Sequence, residues 1–253
     1  MSEEAKNNTD LVIVDTKDKQ VIDTAYEMLG KYFKPSELES EDAILERTLG
    51  EQSDSVKHGV LVAYRGDRMV CCCVYDHFVD TQMVYVEYIA TEVDERRHHV
   101  ATELLQQGIF GRYEADILVD IVDPKKMEDA TQEERDYVES KSKFWSKQGA
   151  RKLGIENFQQ PDFEQSVENG VAIDDGSFLA FIPRNEQTCE VDGERMAQTL
   201  HTINTECNGV EDPESAFPQM FDELKLKPVI TLSSKPLIED VASSQTADEE
   251  FCQ

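Results

Sequence analysis

No stretch of the chain approaches the run of about 18 apolar residues that a membrane-spanning helix needs, and the mean hydropathy is negative. A helical membrane span is therefore excluded, and no membrane partner is expected. The opening residues, Met1-Ser2-Glu3-Glu4-Ala5, carry neither the basic stretch nor the apolar core of a secretory signal, so a cytoplasmic location is the default expectation. Cysteines are few, and none of Cys71, Cys72, Cys73, Cys189, Cys207 and Cys252 forms the C-x-x-C pair typical of zinc sites, so no metal is expected. Cys71 to Cys73 are consecutive in a β-type stretch, where side chains alternate between faces, and read as small core residues. Basic residues are scarce: 25 Lys and Arg stand against 53 Asp and Glu, a formal charge of −28. Such a field repels duplex DNA and attracts cationic partners such as polyamines or basic peptides; an acidic proteome or salt adaptation would give the same bias. No internal repeat and no long Gly/Ser linker marks a second independent domain.

What is present reads as alternating strands and helices. Residues 1–9 are polar and expected to be disordered, and 236–253 have the composition of an acidic disordered tail. A short apolar β run at 11–14 precedes a helix that places Val21, Ile22, Ala25, Met28 and Leu29 on one face. Ala43, Ile44, Leu45 and Leu49 suggest a second helix ending near Gly50. The β-rich runs 59–64 and 69–75 flank Arg65-Gly66-Asp67-Arg68, which predicts a hairpin. A third strand, 83–90, leads into a helix expected to begin near Arg97 or His98, with Val100, Leu104, Leu105 and Ile109 inward. The β-branched run 117–122 predicts a central strand buried on both faces. Thr131 and Glu134 have capping-box spacing for a helix to about residue 148, stopped by Gly149. Strands are expected at 150–155 and 177–182, then a helix carrying Met196, Leu200, Ile203 and Cys207, and a last strand within 227–232.

The run from Ile89 to Leu105 passes from strand through turn to helix. It contains Arg96-Arg97-His98-His99-Val100-Ala101, and here the chain resembles the GNAT superfamily of acetyl-CoA-dependent N-acetyltransferases. That signature is Arg/Gln-x-x-Gly-x-Gly/Ala opening a helix after a strand; Arg96 takes the first place and Ala101 the last, while His99 stands where the first glycine is usual. A second match is Lys143-Phe144-Trp145-Ser146-Lys147-Gln148-Gly149-Ala150, similar to the family's aromatic-containing helix end, with Trp145 where a tyrosine often stands. The resemblance covers roughly residues 10–183. It implies an α/β, GNAT-type acyl-CoA N-acyltransferase fold, a central mixed, mostly antiparallel sheet with helices on both faces. Residues 10–183 would form the acetyltransferase domain, with 184–235 a C-terminal helix and strand extension packed on it.

The resemblance also implies a cosubstrate and a site. Free amides at a helix N-terminus converge on one spot, where the helix dipole favours a diphosphate; by position, Arg96, Arg97, His98, His99, Val100, Ala101 and Thr102 would hold the pyrophosphate of acetyl-CoA. Ile89, Ala90 and Thr91 would pair with its pantetheine amides where the strand parts from its neighbour. Glu87 is the candidate general base, and strict alternation along the strand would put it on the same side as Ile89 and Thr91; the same carboxylate could instead bind a cationic substrate. Partners implied are acetyl-CoA and an amine, with a homodimer allowed. The alternative is a degenerate member of the fold that binds or regulates without catalysis, as the departures at His99 and Trp145 would suit. A third reading, an acidic mimic of nucleic acid, would require carboxylates regularly spaced on one face.

Overall fold

Alternation of β-branched and aromatic residues with small ones sets most of the strands. In the computed structural model, which describes residues 10–35, 37–123, 126–127, 130–161, 173–174, 176–235 and 237, they build one seven-stranded sheet. The tail expected at 1–9 and, Leu237 aside, that at 236–253 lie outside the described residues. The strands are β1 (Leu11–Thr16), β2 (Val56–Arg65), β3 (Arg68–Phe78), β4 (Met83–Thr91), β5 (Asp116–Val122), β6 (Arg151–Lys152), β7 (Gln160–Pro161), β8 (Ile173–Asp174), β9 (Ser177–Ile182), β10 (Glu190–Asp192) and β11 (Val229–Thr231). The main sheet runs β1-β2-β3-β4-β5-β9-β6, while β7 with β8 and β10 with β11 form two-stranded ribbons. All neighbours in the main sheet are antiparallel except β4 and β5.

Helices α1 (Lys19–Leu29) and α2 (Glu41–Leu49) start at Asp18 and Ser40, whose side chains accept amide protons of Gln20 and Ala43. Their inward residues Ile22, Ala25, Met28, Leu29 and Ile44 pack on Val60, Val62, Cys72, Val74 and Ala90 of one sheet face. The opposite face is covered by α3 (Val100–Glu103), which runs into a π-helical turn (Leu104–Phe110), and by α4 (Gln132–Lys147). Thr131 and Glu134 form the full capping box of α4. Beyond β9, α5 (Gly193–Thr202) and its π-helical continuation (Ile203–Cys207) join α6 (Pro213–Ala216) and α7 (Pro218–Leu226). Met196, Leu200, Phe217, Phe221 and Leu224 share one core with Val56, Phe78, Met83, Leu118, Leu179 and Phe181, so this extension covers the β4-β5-β9 part of the face that α1 and α2 leave open.

Three local features depart from simple periodicity. The helix expected at 97 or 98 begins at Val100, after a 3-10 turn (Val93–Glu95), because Arg97 and His99 hold left-handed φ values of 69° and 61°. The strand expected at 150–155 shrinks to β6, since the amide of Gly154 turns to the carbonyl of Thr231 (3.0 Å). A β-bulge interrupts the β3–β4 register: Val74 opposes Tyr88 and Tyr75 opposes Val86, leaving Glu87 as the extra residue. Cys71, Cys72 and Cys73 are fully buried, alternate between the two faces, and burial pushes the Cys71 thiol up to about 12.

Candidate active site

β4 and β5 pair in parallel at Met83–Asp116, Val84–Ile117 and Tyr85–Leu118, and then part. From Val86 to Thr91, β4 has no strand partner on that edge among the described residues. At the fork, the Tyr85 hydroxyl donates to Asp120 Oδ1 across the gap at 2.9 Å. A cavity of about 460 Å³ opens here, its walls including Phe33, Glu39, Glu87, Tyr88, Lys141 and Trp145. The extension contributes Asn208 to its lining.

The bulge decides where Glu87 points. An extra residue in one strand breaks strict alternation, so Glu87 lies on the α2 side together with Tyr88. Ile89 packs on the opposite core, and Thr91 Oγ1 donates to Cys71 Sγ there at 3.3 Å. The expectation that Glu87, Ile89 and Thr91 share one side is therefore corrected. Glu87 is instead clamped by Arg47 of α2, Nη1 to Oε1 at 2.7 Å and Nη2 to Oε2 at 3.1 Å. The same guanidinium bonds Glu39 and reaches Asp76 Oδ2 at 3.4 Å, and Asp76 Oδ1 meets His58 Nδ1 at 2.5 Å.

Three buried carboxyl groups thus share one guanidinium. Burial raises the pKa of Glu87 well above the carboxylate range, reinforced by the charge of Asp76 and opposed by Arg47. Burial alone would also raise Asp76, but hydrogen bonds with His58 and Glu87 and the charge of Arg47 outweigh it and hold Asp76 well below its ordinary value. Burial raises Glu39 and Asp120 as well, Arg47 and the Tyr85 hydroxyl opposing it in turn. His58, Asp76 and Cys207 bring potential ligand atoms within 4.8 Å of one another. Asp76 is already engaged by Arg47 and His58, so the trio reads as part of this charge network.

The turn after β4 presents a second assembly. Arg97 and His99 are left-handed on either side of His98, whose amide donates to the Glu95 carbonyl at 3.3 Å. The earliest α3 bond runs from Glu103 N–H to His99 C=O (2.9 Å), which leaves the amides of Val100, Ala101 and Thr102 as the free donors of the helix end. Arg97, His98 and His99 are exposed, and His98 stands off Glu95 at 3.6 Å, so no imidazole seals the turn. Arg96 lies over the Tyr32 ring at 4.8 Å and donates through Nε to the Thr91 carbonyl at 3.2 Å. Ala90 and Val100 are buried, so they offer backbone alone. Thr102 Oγ1 accepts from Gln148 at 3.1 Å, tying α3 to the end of α4.

Periodicity did not single out Glu39 and Asp120, which line the cavity, or Arg47 and Asp76, which belong to the charge network around Glu87. Asp120 carried a usable signal, a lone carboxylate inside the β-branched run 117–122. Arg47 carried none, because its role exists only once α2 lies across β4.

No protein-family model matches the chain, and no curated protein sequence does. Among solved structures, a GNAT-family protein assigned as an acetyltransferase, from Bacteroides thetaiotaomicron, is similar at 17% identity over 80% of this chain and 99% of its own, with a TM-score of 0.55. The ribosomal-protein-S18-alanine N-acetyltransferase of Escherichia coli aligns at 13% identity over 69% of this chain and 94% of its own, TM-score 0.41. Diaminobutyrate acetyltransferase EctA of Paenibacillus lautus, solved with L-2,4-diaminobutyric acid and coenzyme A, aligns at 11% identity over 70% and 96%, TM-score 0.42. With its forked parallel pair in a mostly antiparallel sheet and helices on both faces, this chain has the fold of the GNAT acetyltransferases.

Proposed function

We propose that the chain transfers an acetyl group from acetyl-CoA to an amine, with cationic amines as the acceptor class. The observation that carries this reading is the fork between β4 and β5, which opens over a cavity holding a buried carboxyl of raised pKa. The pyrophosphate of CoA would be held by the amides of Val100, Ala101 and Thr102 and by the exposed Arg97, His98 and His99, with Arg96 steadying the strand end. The pantetheine arm would add to the open edge of β4 along Ile89, Ala90 and Thr91. Glu39, Glu87 and Asp120 around the cavity favour an acceptor bearing positive charge.

In this reading Glu87 takes the proton from the attacking nitrogen. A carboxylate raised toward neutrality is a better base at working pH than an ordinary one. Arg47 holds its two oxygens in place, and Asp76 with His58 provides a hydrogen-bonded route away from the cavity. An unpaired β4 amide would donate to the oxyanion. Trp145 is buried and has no acidic proton to offer the departing thiolate, so that proton would come from water.

One observation favours the second reading, a non-catalytic module on the same fold: the Arg47 clamp occupies both oxygens of Glu87. A thiol-release assay against an amine panel weighted to polyamines and basic peptides, run beside thermal shift with CoA, separates the two. Catalysis requires CoA binding with amine-dependent thiol release, and Glu87→Gln should lower turnover by about 10²-fold or more while CoA affinity holds. Equal loss of both, or no loss, would remove Glu87 from the role of base.

A further inference from the structure

We propose that Lys141 is a site of self-acetylation, an internal amine held in the acceptor cavity; this rests on the transferase reading above. Tyr137, Lys141 and Trp145 recur at four-residue spacing and therefore share one face of α4. Lys141 and Trp145 both line the cavity beside Glu39, Glu87 and Asp120. The Lys141 ammonium sits 4.4 Å from the Phe33 ring centre and 4.5 Å from that of Tyr137. Those rings are themselves fixed: Phe33 packs edge-on against Tyr88 at 5.3 Å, and the Tyr137 hydroxyl donates to the Tyr32 carbonyl at 2.8 Å.

The other lysines nearby are held differently. Lys34 pairs with Glu134 at 2.8 Å and Lys143 with Glu139 at 2.6 Å, whereas among the described residues no ion pair holds Lys141. A cation resting on ring faces keeps its nitrogen open to the cavity, and it occupies the place an acceptor's ammonium would take. Two conditions for acyl transfer meet there, a primary amine and a neighbouring carboxyl of raised pKa that can receive its proton.

The step balances without a further reactant. Deprotonated Nζ attacks the thioester carbonyl, the C–N bond forms and the C–S bond breaks, and the proton the nitrogen loses as the amide forms passes through water to the thiolate, so CoA leaves as the thiol. The proton that Nζ loses before attack takes the other route, to Glu87 and then to solvent. The product is Nε-acetyllysine, whose neutral amide no longer satisfies the ring faces.

The test is to incubate the full chain with isotopically labelled acetyl-CoA, without added amine, and to map the label by peptide mass spectrometry. Lys143 and Lys147, exposed on the same helix, serve as internal controls for chemical acetylation. Lys141 should acquire label at least about tenfold faster than either, at a rate per molecule independent of protein concentration, and Glu87→Gln should slow Lys141 alone. Label reaching Lys143 and Lys147 first, or a per-molecule rate that rises with protein concentration, would overturn the proposal. CoA binding and thiol release with other amines, but an unlabelled Lys141, would refute self-acetylation while leaving the transferase reading intact. No thermal shift with CoA and no label would refute both.

Discussion

His99 illustrates how a single backbone angle shapes the candidate phosphate site. Its φ of 61° is the left-handed conformation that glycine adopts freely and that histidine tolerates better than branched residues. His99→Gly should keep stability within about 1 kcal/mol, whereas His99→Val should lose about 1–2 kcal/mol and weaken the thermal shift given by CoA. The buried charges make a second residue-level prediction. Asp76 binds fewer protons folded than unfolded, so it adds stability above its unfolded pKa that is lost as pH falls toward the folded value. Glu87 works the other way: its folded pKa is raised, so its burial costs stability as pH climbs above the ordinary carboxylate range. Glu87→Gln should therefore gain on the wild type as pH rises from acid to alkaline, measured by urea denaturation across pH. Arg47→Ala strands three buried carboxyls and should cost about 3–5 kcal/mol.

At the scale of the element, the decisive object is β4, bulged at Glu87 and, beyond Tyr85, no longer paired with β5. The bulge turns Glu87 toward α2 while Val86 and Ile89 stay in the opposite core, so one strand serves both the charge network and the scaffold. In the neighbouring strands a large side chain crosses a small one. Gly59 of β2 faces Tyr75 of β3, whose hydroxyl meets Tyr113 at 2.8 Å and donates to Asp15 at 3.1 Å. A Cβ at Gly59 would run into the Tyr75 ring. Gly59→Ala should cost about 1–3 kcal/mol, read as a lowered denaturation midpoint. Elements with strong local signals, such as α4 with its capping box, were legible from spacing alone, because their determinants lie within a few residues of one another. The bulge was not, since it depends on how two strands register over their whole length.

For the molecule as a whole, the extension is built into one of the three buried clusters and is not an appendage. Its Met196, Phe217 and Phe221 bury Met83, Leu118 and Phe181, and its Cys207 and Asn208 reach the charge network and the cavity. Within the extension, the Gly193 amide donates to the Pro228 carbonyl at 2.9 Å, and a Cβ there would overlap the Lys227 carbonyl. Gly193→Ala should loosen α5 from β11, costing about 1–3 kcal/mol and raising amide exchange across α5 and α7 before it rises in β2 and β3.

Local chemistry in the chain determined the order of the main-sheet strands and the helices α1 to α5, the cap at Thr131, the hairpin at Gly66, the acidic field and the turn after β4, because each is written in neighbouring residues. Only the tertiary structure decided which way Glu87 points, that Arg47, Glu39 and Asp76 surround it, that Asp120 stands across the fork, and that Lys141 enters the cavity. Those relations join residues tens of positions apart, and their energies come from burial and from charge at close range. Neither exists until the sheet, α2 and α4 have closed around the fork.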